Sequence, residues 1–246
     1  MILQLVILFV IVLIGGFIGL KSDSSNKIYL KSALAFSAAF ILGITILHLL
    51  PMVYMDFHFS YGVWILVGFF IQIFLETLSS GVEHGHIHSK KGASKSWAFQ
   101  ILIGLSFHAF IEGLPLMEME GHDIVSHGHD HALGSWNYFL SLVLHKIPAA
   151  YALVLLLKHS GFSQRFIIGC LVVFAAMSPL GALVIQGFEL SELAFKSLMA
   201  FVIGAFLHIA TTIMFETESS EHHHISWRKV AFSVLGIGLA LLAELL

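Results

Sequence analysis

The sequence predicts an all-α protein, a polytopic bundle of eight transmembrane helices with both termini extracytoplasmic. Three observations carry this. Only 11% of the 246 residues are charged and 58% are hydrophobic, whereas a soluble domain usually has about a quarter of its residues charged. The apolar residues gather into eight runs separated by short polar stretches. The basic residues then fall almost entirely into alternate connections between those runs.

The runs are approximately 2–20, 30–52, 61–80, 97–117, 136–157, 166–188, 197–215 and 230–246. Each is near the ~20 apolar residues that cross a bilayer at ~1.5 Å rise per residue. Only helices and closed barrels satisfy the backbone in lipid, and the alternating ten-residue strands of a barrel are absent. The first run lacks a basic start and a small-residue cleavage site, so it reads as a retained helix. Lys21, Lys27, Lys31, Lys90, Lys91, Lys95, Lys158, Arg165, Arg228 and Lys229 lie on one side. The opposite connections hold only Lys196, and Lys146 falls inside the fifth run. Ten of twelve basic residues thus mark the cytoplasmic face. The whole chain, 1–246, forms one membrane domain, with no room for a separate catalytic one. Cys170 is the only cysteine, which excludes an intramolecular disulfide. The expected location is a cell membrane, specifically a bacterial inner membrane.

Three connections are rich in histidine: 81–96 with His84, His86 and His88; 118–135 with His122, His127, His129 and His131; and 217–229 with His222, His223 and His224. Imidazole suits zinc, copper, iron and nickel, so such tracts predict loose metal capture. The plainer reading is a polar loop that happens to be rich in histidine.

Ionisable groups inside a span are costly and usually functional. Here they are His48, His108, Glu112, His145, Lys146 and His208, while Glu76, Glu216 and Glu244 sit near span ends where they can reach the interface. His108 and Glu112 are four residues apart and share one helix face. Imidazole plus carboxylate is a partial ligand set for Zn2+. His108 and His145 each lie nine residues from the outer end of their spans, roughly 14 Å deep and near the middle of a ~30 Å core. His208 comes out at ~18 Å by the same arithmetic. The fourth and fifth spans therefore bring His108, Glu112 and His145 to one level as the primary metal site, with His48 and His208 as additional candidates. The alternative for each histidine is a hydrogen bond between helices.

The prolines point to the same places. A proline inside a helix leaves the carbonyl four residues earlier without its partner. Pro51, Pro115 and Pro148 would free the carbonyls of Leu47, Ile111 and Leu144, next to His48, Glu112 and His145. Interrupted helices near the midplane are where transporters build ion sites.

These residues resemble the ZIP (Zrt/Irt-like) family of metal-ion transporters over nearly the whole chain. The resemblance is carried by Gly43-Ile-Thr-Ile-Leu-His-Leu-Leu-Pro51, His108-Ala-Phe-Ile-Glu-Gly113, His145-Lys-Ile-Pro148 and Ser178-Pro-Leu-Gly181. It implies eight spans, transport of Zn2+ (or Fe2+, Mn2+ or Cd2+) toward the cytoplasm, no prosthetic group and no enzymatic activity, and it allows a homodimer. In many ZIP proteins the two central helices hold a binuclear centre. Here Ala109 stands where the family has Asn, and Lys146 and Ala149 stand where it has acidic or histidine ligands. A protonated lysine cannot bind a metal, so the second site looks replaced by a tethered ammonium. Two other functions compete. One is a membrane metal sensor or binding protein that does not transport. The other is an intramembrane zinc hydrolase, for which a helical His-Glu-x-x-His is missing.

Overall fold

The computed structural model describes residues 2–22, 27–56, 58–85, 90–123, 132–215 and 226–245, and among them there is no strand. Helix α1 is Ile2–Lys21 and α2 is Lys27–Ile44. A π turn, Thr45–Leu49, joins α2 to the short α3, Leu50–Tyr54. Then come α4 (Phe59–Ser79), a 3-10 turn at Val82–His84, α5 (Lys95–Gly113), α6 (Leu116–Asp123), α7 (Ala132–His159), α8 (Gln164–Ile185), α9 (Glu192–Phe215) and α10 (Trp227–Leu245). Among the described residues, seven helical stretches are long and apolar enough to cross a membrane: Ile2–Lys21, Tyr29–Tyr54, Phe59–Ser79, Lys95–Met119, Ser135–His159, Gln164–Ile185 and Glu192–Phe215. The remaining long helix, α10, packs along α2 and carries three charged residues, Arg228, Lys229 and Glu244.

The packing pairs are α1 with α7 and α8, α4 with α9 and α5, α5 with α8, and α2 with α10. Small residues set these contacts. A Cβ at Gly113 would collide with the Ser178 carbonyl, and one at Gly181 with the Phe110 carbonyl. The Ser178-Pro-Leu-Gly181 stretch thus lets α8 approach the α5 backbone, and the Ser178 hydroxyl donates to the Ala109 carbonyl at 2.8 Å. Packing of this kind, not apolar burial, holds helices together in lipid. The apolar surface goes outward: Leu66, Phe70 and Phe74 of α4 and Phe107 of α5 are exposed.

Inside, the core divides into two clusters. One holds Leu105, Ala109, Ala149, Leu153 and Phe174. The other holds Leu116, Tyr138, Leu142, Phe206 and Ala210. Along α7 the boundary between them is His145 and Lys146, and along α5 it is Glu112. A thin buried polar layer therefore separates two apolar halves.

Two local features correct the sequence expectations. Pro115 does end α5, but the Ile111 carbonyl is not left bare, because the Leu114 N–H turns back to it at 3.2 Å. The next carbonyl, that of Glu112, accepts from the Tyr138 hydroxyl. At Pro51 the helix widens instead of breaking: the Leu50 N–H reaches the Thr45 carbonyl, a π turn with His48 inside it. Such turns often sit at functional sites.

The end of α4 is a third departure. Ser80 and Gly81 have positive φ (57° and 68°), and Gly81 N–H closes on the Glu76 carbonyl at 3.2 Å. This left-handed cap turns the chain back into the bundle, and Gly85, with φ 85°, turns it out again. Glu83 and His84 between these turns are buried. His84 is therefore not part of a loose capture loop.

Candidate metal site

Helices α5 and α7 build the site. His108, Glu112, His145 and Lys146 are each no more than 1% exposed. One ligand atom from each of His108, Glu112 and His145 lies within 4.8 Å of the others. The two imidazole rings stand at right angles with centroids 5.8 Å apart. His108 Nε2 is 2.9 Å from Glu112 Oε1, yet neither atom has a hydrogen-bond partner, nor has either nitrogen of His145. Buried polar atoms are nearly always paired. One such atom from each of the three residues meets the others here, so the cluster offers up to three lone pairs to an ion. Two ligands on a tetrahedral ion with bonds of ~2.0–2.1 Å stand about 3.3 Å apart, so the His108–Glu112 spacing is close to that of a shared ion.

The other oxygen of Glu112 is taken. Lys146 Nζ pairs with Glu112 Oε2, and the same ammonium lies 5.6 Å from the centre of the Phe174 ring, within reach of a cation–π attraction. An unpaired charge could not be held at this depth. The pair offsets its own burial and leaves one carboxylate oxygen facing the imidazoles.

His48 and His208, the additional candidates, do not join this cluster; each belongs to a group of its own. His48 Nδ1 meets Glu244 Oε2 at 3.3 Å. Glu244 also receives Asn137 Nδ2 on its other oxygen at 3.2 Å. His208 Nε2 bonds to Glu76 Oε2, and Glu76 Oε1 lies 3.1 Å from His84 Nδ1. Glu76 and Glu244 are thus partners of buried or half-buried histidines, not side chains merely reaching the interface.

Gln72 is the residue the sequence reading missed. It is buried, its Oε1 lies 3.0 Å from His108 Nδ1, and its Nε2 donates to Glu83 Oε1 at 3.4 Å. A lone amide inside an otherwise apolar span was the signal available. His86, His88, His127, His129, His131, Glu216, His222, His223 and His224 lie outside the described residues, as does the side chain of His122.

The profile of the family described as ZIP Zinc transporter matches residues 83–244, a stretch that contains α5, α7 and every side chain of the central cluster. Among curated proteins, the chain is 28% identical over 178 residues to Zinc transporter ZIP9-A of Xenopus laevis, covering 69% of this chain and 56% of that protein. It is 27% identical over 177 residues to Zinc transporter ZIP9 of Micropogonias undulatus, covering 68% and 54%. The match thus spans about half the length of these relatives.

Proposed function

The chain belongs to the ZIP zinc transporter family, and from that membership and the geometry at its centre we propose that it carries a divalent transition metal, Zn2+ first, across the membrane toward the cytoplasm. The carrying observation is the set of unpaired ligand atoms of His108, Glu112 and His145, buried together where two apolar halves of the core meet. A sensor needs a site but not a path. Here three His–Glu groups follow one another along the helices. Asn137, of the His48–Glu244 group, lies eight residues before His145 on α7, about 12 Å away. Glu76, of the His84–His208 group, lies one turn beyond Gln72 on α4. That succession favours passage over storage.

In this reading Glu112 and the two imidazoles exchange the hydration shell of the ion for protein ligands, and Lys146 stands in for a second ion. The reading also takes α10 as the eighth span, which places both termini outside and the 90–95 segment inside. Single cysteines at Ser94 and Ser126, introduced after replacing Cys170, test that arrangement. Impermeant reagent should label Ser126→Cys only, and labelling of Ser94→Cys in intact cells overturns it.

The function is tested by zinc flux into sealed proteoliposomes. Wild-type protein should fill them. His108→Ala, Glu112→Ala and His145→Ala together should abolish flux while the protein still inserts. Wild-type flux in the triple variant sinks the proposal; zinc binding with no flux in the wild type turns it into the sensor reading.

A further inference from the structure

His108 can serve a metal through Nε2 only if its proton sits on Nδ1, and nothing in the ring itself fixes that choice. Two side chains outside the ligand set, Gln72 and Glu83, do. His108 Nδ1 faces Gln72 Oε1 at 3.0 Å. Gln72 Nε2 faces Glu83 Oε1 at 3.4 Å. Gln72 and Glu83 are both essentially without solvent contact, at 1% and 0% exposure. A carboxylate only accepts hydrogen bonds. It therefore draws the NH2 end of the Gln72 amide toward itself and forces the carbonyl end toward His108. A carbonyl only accepts as well, so the imidazole must present Nδ1–H to it. The remaining nitrogen, Nε2, then holds a lone pair 2.9 Å from Glu112 Oε1, and two acceptors at that spacing are held together by a cation between them, not by a hydrogen bond.

We infer that Glu83 is a positioning residue that sets the metal-binding tautomer of His108 through Gln72, without touching the site. The inference deepens the transport reading and rests on it for the role of His108. Its local logic needs only the three side chains. Histidine ligands are commonly oriented by a carboxylate on the second nitrogen; here an amide is interposed, and it transmits orientation without bringing a charge next to the site. The arrangement also explains an otherwise costly feature. Glu83 Oε2 is buried with no hydrogen-bond partner, a penalty with no counterpart in packing. The backbone holds Glu83 there through the left-handed cap at Ser80–Gly81 and the turn that ends at Gly85.

The test uses the full chain in lipid nanodiscs with ring-15N histidine, His108 being assigned by the signal lost in His108→Gln. Metal-free wild type should show His108 protonated at Nδ1. Glu83→Leu should release the Gln72 amide, move His108 toward the Nε2–H form and weaken Zn2+ binding by about 10- to 100-fold. The exchange Gln72→Glu with Glu83→Gln should restore both readouts, because a carboxylate at 72 accepts from Nδ1–H with no amide to orient. If Glu83→Leu fails to insert, the exchange variant decides alone: retained tautomer supports the inference and a lost one overturns it. An Nε2–H tautomer in the wild type, or an unchanged tautomer in Glu83→Leu, also overturns it. Absence of zinc binding in a wild type with the expected tautomer counts against the transport reading and leaves this one standing.

Discussion

Glu112 and Glu76 are each flanked by two imidazoles, yet the two groups are built differently. Glu76 gives one oxygen to His208 and the other to His84, and its side chain keeps 23% exposure. Glu112 has no exposure, one oxygen bound to Lys146, and one left without a hydrogen bond. Both oxygens of the partly exposed carboxylate face imidazoles, whereas the buried one faces an imidazole with one oxygen and an ammonium with the other. An ion entering the Glu76 group must displace an existing His–Glu contact. At Glu112 it meets lone pairs already directed inward. The lysine makes the difference, since it allows a buried anion to exist without consuming both oxygens.

The comparison breaks most sharply at Glu112 itself. Glu112→Gln keeps the shape and removes the charge, and should abolish measurable zinc binding to protein whose loop histidines have been replaced, as read by calorimetry. It also strands Lys146. Binding within a few-fold of wild type would mean that the open oxygen is incidental.

Next in size is the lysine. Lys146→Met leaves Glu112 as an uncompensated buried charge, and breaking such a pair costs about 3–5 kcal/mol. Thermal unfolding in detergent should record a loss of that order. The companion variant, Lys146→Glu with Ala149→Glu, replaces the ammonium by carboxylates, and the stoichiometry should rise from one zinc to two. A single ion in that variant, or two in the wild type, removes the idea that Lys146 occupies the place of a second metal.

The resemblance between expected and observed structure is uneven for physical reasons. Seven of the eight expected spans were legible as helices long and apolar enough to cross a membrane, because a bilayer imposes a length and a polarity that composition must obey; α4 and α9 begin and end within a few residues of their apolar runs. The meeting of His108 with His145 was legible because both lie at similar distances from the ends of their apolar runs, and in the structure their rings stand 5.8 Å apart. Glu83 and His84 were not. They read as the start of a polar loop, since hydropathy averages over the backbone reversal at Ser80 and Gly81 that returns them to the interior. Gln72 was passed over because a neutral amide lowers hydropathy little, although its hydrogen bonds govern an ionisable neighbour.

Smaller effects belong to Glu76. Glu76→Gln keeps an acceptor for one histidine but removes the charge that draws both. Zinc affinity at the central site should stay near wild type while flux falls several-fold, because Glu76 touches none of the three central ligands. Equal losses in binding and flux would merge the two groups into one site and erase the contrast drawn between them.

The smallest effect should come from the His48–Glu244 pair. His48 and Glu244 are also imidazole and carboxylate, 3.3 Å apart, but their side chains are 20% and 24% exposed. A partly solvated pair gains little over hydration and contributes about 0–1 kcal/mol. Glu244 is held besides by Asn137, which donates to its carboxylate and to the Ala243 carbonyl, so the carboxylate stays in place without the histidine. His48→Gln should therefore unfold at nearly the wild-type temperature and bind zinc at the centre unchanged. What it removes is a ligand away from the central cluster, inside the widened turn that follows α2, where the backbone already departs from regular packing. Flux should fall only at low external zinc, with the maximal rate preserved. A lowered maximal rate at saturating zinc would place His48 on the rate-limiting step, and the ranking of the three groups by burial would have to be abandoned.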